Sequence, residues 1–304
     1  MTAVSSASWS SPLWGQTALV TGAAGGMGRV IATDLARQGA AVLLVVRRAA
    51  QGKVLKREIA QATGNLEVDF LVADLSVQTS IRQLVTAVRQ RHAQLHILVN
   101  NAGVHLQERQ LSVDGIEMHF AVNHLAPFLL SNLLLDMMNV SAPARIVNVS
   151  SQTIADTRSL PFFGRSRPAV LDLNDLQSAR NFEPGVAYGR SKLAMVMCGY
   201  VLARRLQGSG VTVNALHPGI VATDIVADVA PPLVRPFLSV IRRFLLTPEQ
   251  GAASTVRLAS LPELETVTGT YFVRANEQRS PESSYDVLTQ ERLWNASAAL
   301  VGLS

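Results

Sequence analysis

Short, apolar, β-branched runs alternate along this chain with longer stretches in which apolar residues recur every three to four positions. Ala18-Leu19-Val20-Thr21, Ala41–Val46, Val68–Ala73, Leu95–Val99, Ala144–Ser150 and Val211–Leu216 read as strands. Met27–Gln38, Val77–Arg91, Gly115–Met138 and Val186–Gln207 read as helices between them. Thr247-Pro248-Glu249-Gln250 opens another helix, with a capping box and proline at the first helical position. Such alternation predicts an α/β fold, a doubly wound parallel sheet of the Rossmann type with helices on both faces. No repeat, linker or second core interrupts it, so residues 1–304 are expected to form one domain. Residues 1–14 are Ser-rich and uncharged, which predicts a flexible N-terminus without signal peptide or membrane anchor.

Two segments break the alternation. Gln152–Gly185 carries Pro161, Pro168 and Pro184 among Gly and Arg, and Asp224–Leu246 carries Pro231, Pro232 and Pro236 before apolar Phe237-Leu238-Ser239-Val240-Ile241. Both follow strands at the sheet edge where ligands bind in such folds. They are expected to shape a substrate site, with 224–246 as its lid.

Composition narrows the field. The chain is 48% hydrophobic and 16% charged, enough apolar material for a large core. Its 27 Lys and Arg against 22 Asp and Glu lie scattered, with no aromatic-interleaved basic run, so no nucleic-acid partner is expected. The single cysteine, Cys198, excludes an intrachain disulfide and fits a reducing, cytoplasmic setting. No apolar run reaches the ~18 residues of a membrane span. Arg235, Arg242 and Arg243 beside apolar residues leave weak peripheral association with an anionic surface open; a solvated rim is the plainer reading. His92, His96, His105, His119, His124 and His217 have no metal-ligand spacing, so no metal is expected.

Thr21-Gly22-Ala23-Ala24-Gly25-Gly26-Met27-Gly28 follows a strand and opens a helix, which suits a pyrophosphate at the helix N-terminus. The next strand ends in Arg47-Arg48, with no acid before Glu58. Guanidiniums suit a 2′-phosphate where a carboxylate would suit a free ribose, so the pattern points to NADP(H) rather than NAD. Asp74, with Leu75 after the third strand, either meets the adenine or caps the next helix. Tyr188 and Lys192 lie four apart, on one face of a helix. Bringing a phenol from about 10 to about 7 takes roughly 4 kcal/mol, and a cation ~5 Å away supplies roughly 3 kcal/mol at an effective dielectric of ~20.

In this order the motifs resemble the short-chain dehydrogenase/reductase family over roughly residues 16 to 272. Thr21, Gly22, Gly26, Met27 and Gly28 match its cofactor turn. Asn100-Asn101-Ala102-Gly103 match the run that contacts the cofactor, and Pro218-Gly219 with Thr223 match the loop that holds the nicotinamide. Asn123, Ser151, Tyr188 and Lys192 fall where the family has its catalytic tetrad, with Ser150 the rival to Ser151. The resemblance implies that Tyr188 is the acid/base, that Ser151 binds the reacting oxygen, and that Lys192 lowers the phenol's pKa and holds the ribose. Asn123 would hold a water-borne proton relay.

Within the family the chain is most similar to the retinol dehydrogenase-like and WW-domain oxidoreductase-like branch. This implies NADP, with Arg47 as the basic residue that goes with it, and a bulky lipophilic substrate such as a steroid, retinoid, lipid or polyketide-like compound. A C=C reductase using the same site and a non-catalytic NADP(H)-binding sensor or scaffold remain alternatives. The resemblance leaves open a homodimer formed through the Tyr188 helix.

Overall fold

The computed structural model describes residues 11–158, 166–222 and 245–303. Eight strands make one sheet: β1 (Thr17–Thr21), β2 (Ala41–Val46), β3 (Val68–Val72), β4 (Ile97–Asn100), β5 (Ala144–Val149), β6 (Val211–His217), β7 (Tyr271–Val273) and β8 (Asn276–Gln278). Their order is β3-β2-β1-β4-β5-β6-β7-β8, parallel throughout except for the β7–β8 pair. The strand order reverses between β1 and β4, and the crevice at such a switch point is where doubly wound sheets bind ligands.

The helices are α1 (Gly26–Arg37), α2 (Ala49–Thr63), α3 (Gln78–Arg91), α4 (Met118–Val140), α5 (Pro184–Arg205), α6 (Pro248–Ser260) and α7 (Val287–Leu300). Side-chain alternation in the strands splits the core in two. Leu19, Leu43 and Val45 face a layer made by α3, α4, α5 and α7, while Val20, Val42 and Leu44 face α1, α2 and α6. The predicted strands and helices stand, shifted by up to about three residues at their ends. The capping box at Thr247 and Gln250 forms with both of its hydrogen bonds.

Helix α4 departs from the sequence expectation twice. It is long and apolar enough to cross a bilayer by length and composition, but 78% of its most apolar window is buried inside the protein. Ala121–Leu125 also forms a turn of π-helix within it, a local widening that often marks functional sites and that places Asn123. Helix α5 is buried without a break from Ser191 to Ala203. Part of its cover is α7: Arg205 lies 4.2 Å over the Trp294 ring, and Arg204 and Arg205 both pair with Glu291.

Candidate active site

The glycine turn joins β1 to α1 with Gly22 and Gly26 at φ +64° and +50°, a region that L-residues with a Cβ rarely occupy. A Cβ on Gly28 would collide with the Gly22 carbonyl. The turn is tied to the end of β4 by the Thr21 side chain. Its hydroxyl donates to the Val99 carbonyl (3.2 Å) and accepts the N–H groups of Asn101 and Ala102 (3.0 Å each). The Asn101 amide donates back to the Thr21 carbonyl at 2.9 Å. Thus Thr21, Gly22, Asn101 and Ala102 form one hydrogen-bonded unit across the switch point.

No side chain caps the start of α1, so its first N–H groups face the turn free to bind an anion. Arg47 and Arg48 are exposed beyond β2 and make no ion pair among the described residues. Glu58, the first acid after them, is paired with Arg29 at 3.1 Å. An open helix terminus and two unpaired guanidiniums fit a phosphorylated dinucleotide. Met27 lies against Gly251 of α6, and Leu75 packs against the core layer behind Asn100 and Ala102. Asp74 accepts from the backbone and hydroxyl of Ser76, forming a local turn ahead of α3.

On the other side of the crevice, Tyr188 is buried in the first turns of α5 beside Ser151. Burial raises its pKa, and the neighbouring Ser151 side chain lowers it in part. Ser151 also accepts from the backbone of Thr153 at 3.3 Å. Ser150 points elsewhere, its buried hydroxyl without a partner among the described residues. Lys192 is 3% exposed; its Nζ donates to the Val149 carbonyl at 2.8 Å and approaches Gly103. Burial pushes Lys192 down to about 8. The four-residue spacing implies a charged ammonium beside the phenol, whereas within the protein alone the shifts of Tyr188 and Lys192 both favour the uncharged forms.

Asn123 is fully buried. Its Oδ1 accepts from the Val104 N–H (2.8 Å), and its Nδ2 donates to the Val104 carbonyl and to the Ser191 hydroxyl (3.0 Å each). Its amide is engaged in tying the loop after β4 to α5. Pro218 and Gly219 follow β6, with Gly219 at φ +100° and packed so closely on Leu246 that a Cβ would collide. Ala222 donates to the Leu246 carbonyl and Leu246 to the Ile220 carbonyl, which ties 220–222 to 246 beside Gly219. Thr223 and nearly all of the expected lid, 224–246, lie outside the described residues.

Sequence reasoning did not assign a role to His105, Glu117 or His119. The structure sets both histidine rings beside Tyr188, at 4.6 Å and 6.0 Å between centroids, and Glu117 caps the helical turn that carries His119. The positions lie far from Tyr188 in sequence, and no local pattern announces the contact.

Comparison with known proteins agrees with this architecture. The family model described as short chain dehydrogenase matches residues 16–170, and that described as Enoyl-(Acyl carrier protein) reductase matches 157–274. Human retinol dehydrogenase 14 is 38% identical over 304 residues, spanning 95% of this chain and 87% of its own length. The chain belongs to the short-chain dehydrogenase/reductase family. Within that family it is similar to the retinol dehydrogenase-like branch. Human polyprenol dehydrogenase is 37% identical across 95% of this chain and 86% of its own. Among solved structures, the Pseudomonas aeruginosa RhlG/NADP active-site complex is 27% identical with a TM-score of 0.64, over 86% of this chain and 95% of that one.

Proposed function

We propose that this short-chain dehydrogenase/reductase is an NADP-dependent oxidoreductase that interconverts a hydroxyl and a carbonyl on a bulky, lipophilic substrate. The observation that carries the reading is the buried Tyr188 beside Ser151, with Lys192 one helical turn further on and approaching Gly103. Relatives named for retinol and polyprenol, both long apolar alcohols, support the substrate class. The solved complex of RhlG with NADP supports the cofactor.

The glycine turn and the N–H groups of α1 would hold the pyrophosphate, and Arg47 and Arg48 the 2′-phosphate. Asp74 and Leu75 would border the adenine. Asn101, Ala102, Gly103, Pro218, Gly219 and Thr223 would border the nicotinamide end. The cofactor, when bound, supplies or accepts the hydride.

Tyr188 does the proton work. Burial keeps its phenol protonated at neutral pH, the form required to donate to a carbonyl oxygen during reduction. Ser151, beside that hydroxyl, steadies the oxygen as it gains charge. Lys192, charged, would ease removal of the phenolic proton in the reverse direction and hold the ribose. Asn123 keeps the Gly103–Val104 backbone in place against α5, and its Oδ1 has a second lone pair with which to receive a relay water. The lone buried Cys198 accords with a cytoplasmic protein.

Replacing Tyr188 by Phe removes the proton and leaves the ring. NADPH oxidation with a panel of lipophilic ketones and aldehydes is expected to fall about 10³-fold, with NADPH binding retained. Full activity in that variant would sink the mechanism. The match of residues 157–274 to an enoyl reductase model gives a second reading, reduction of an activated C=C bond at the same site. Product analysis by mass and NMR separates an alcohol from a saturated carbonyl.

A further inference from the structure

The π-turn that carries Asn123 is gripped from a side that the chemistry above does not use. Within Ala121–Leu125 the Ala126 N–H reaches back five residues to the Ala121 carbonyl, so the turn is wider than the α-helix around it. Two successive polar residues of this turn serve different neighbours. Asn123 reaches the loop after β4 and helix α5, through both backbone groups of Val104 and the Ser191 hydroxyl. His124 reaches the C-terminal helix α7, with its Nε2 2.7 Å from the Ser297 hydroxyl.

Both partners of that bond are wholly buried. Burial pushes His124 down to about 3, so the ring is neutral near pH 7 and the bond is an ordinary one between neutral groups. It is the ring's single hydrogen bond among the described residues, because Nδ1 has no partner. Without it neither buried nitrogen would be satisfied.

Apolar packing does not replace it. The rings of Phe120 and Phe128 lie 4.7 Å and 6.0 Å from His124, and Phe128 meets Trp294 of α7 edge to face at 4.7 Å. Beside them a cavity of about 20 Å³, room for one water, borders His124, Phe128, Cys198 and Trp294. Atoms that line a gap have fewer contacts to hold them, and a directional bond fixes what packing leaves loose there. Helix α7 is itself anchored on α5, by Arg205 over Trp294 and by Glu291 with Arg204 and Arg205. The π-turn is thus tied to α5 twice, directly through Asn123 and Ser191, and indirectly through His124, Ser297 and α7. If the turn tightened to α-geometry, its residues would rotate against the rest of α4 and Asn123 would lose its aim at Val104.

We propose that Ser297 is a positioning residue for the reaction: by holding His124 it keeps the π-turn open and Asn123 aimed at Val104 and Ser191. The C-terminal helix then helps to set the proton route past Lys192. The inference rests on the hydroxyl/carbonyl reading of the site and adds a residue of α7 to it.

Ser297→Ala is the direct test, with His124→Phe and His124→Gln beside it; Gln keeps a polar atom near the Nε2 position and Phe does not. Each is assayed with NADPH and the best substrate of a panel of lipophilic ketones and aldehydes, in H2O and in D2O, with NADPH affinity measured in parallel. Labelling of Cys198, the single cysteine, by a thiol reagent reports whether α7 stays seated, since the thiol is buried on α5 beside Ser297. Ser297→Ala is expected to lower kcat about tenfold, about the worth of one neutral hydrogen bond, with NADPH affinity kept within about twofold and Cys198 still unlabelled. The ratio of kcat in H2O to kcat in D2O is expected to rise, because a misaimed Asn123 slows the resupply of the proton. His124→Phe is expected to repeat the loss and His124→Gln to recover much of it. Unchanged kcat in Ser297→Ala would overturn the proposal. A loss that comes with weaker NADPH binding and a labelled Cys198 would also overturn it, since the bond would then serve stability alone, and so would a loss with the isotope ratio unchanged. Wild-type silence on the whole panel with NADPH tightly bound would overturn the oxidoreductase reading itself, a result visible before any variant is made.

Discussion

The two walls of the crevice are built on opposite principles. On the β1 side the side chains that tie the turn to β4 are satisfied, and only the first N–H groups of α1 stay open: Thr21 makes three hydrogen bonds through one hydroxyl, and Asn101 returns a fourth. On the α5 side polar groups are buried with fewer partners than they can use. Lys192 has one carbonyl, and the Ser150 hydroxyl and the Nδ1 atoms of His105 and His119 have no hydrogen-bond partner among the described residues. A wall that binds a constant ligand can saturate its side chains and keep open only the fixed N–H groups that the ligand takes. A wall that must exchange protons and admit a changing substrate has to keep bonding capacity unspent, at a cost in stability.

The contrast can be broken from the satisfied side first. Gly28→Ala puts a Cβ into the Gly22 carbonyl, and neither backbone segment can yield without undoing the Thr21–Asn101 ties. Stability in urea is expected to fall by about 3 kcal/mol, with NADPH affinity lost alongside. Wild-type stability and affinity in that variant would show the turn to be looser than described.

The unsatisfied side gives a smaller, pH-dependent effect. Lys192 has its folded pKa depressed to about 8, below the ordinary lysine value. Between those values the unfolded chain binds more protons than the folded one, so cofactor-free stability rises as pH rises through that window. Urea unfolding of the wild type is expected to gain about 2 kcal/mol between pH 7.5 and pH 10 relative to Lys192→Met. Parallel pH profiles would mean that the ammonium is solvated rather than buried.

The smallest effect sharpens the comparison at its exposed rim. Arg47→Ala with Arg48→Ala is expected to raise the KM for NADPH about tenfold and to leave that for NADH unchanged, with no change in unfolding midpoint. An equal change for both cofactors would assign the arginines to something other than the 2′-phosphate.

The same contrast explains what could be read from the chain alone. The glycine turn, the Arg47-Arg48 strand end, the Tyr188–Lys192 spacing and the Thr247 capping box are local patterns, written within a few residues. They place the sheet, the crevice and the residues on its two walls. The contact of His105 with Tyr188 joins a loop after β4 to a helix after β5, and only the assembled layers bring them together. The π-turn at Asn123 has no signature in hydrophobic period, since one extra residue in a buried turn leaves every position apolar or occupied. The depressed pKa of Lys192 is likewise hidden from the chain, because burial is invisible in a four-residue spacing. Strands β7 and β8, three residues each, are too short to show a period.

Helix α5 carries a consequence for how the protein meets its own concentration. Every residue from Ser191 to Ala203 is covered within one chain, in part by the C-terminal helix α7. The part of that cover which α7 supplies comes from the same chain, so its contribution to holding the helix behind Tyr188 does not change with protein concentration.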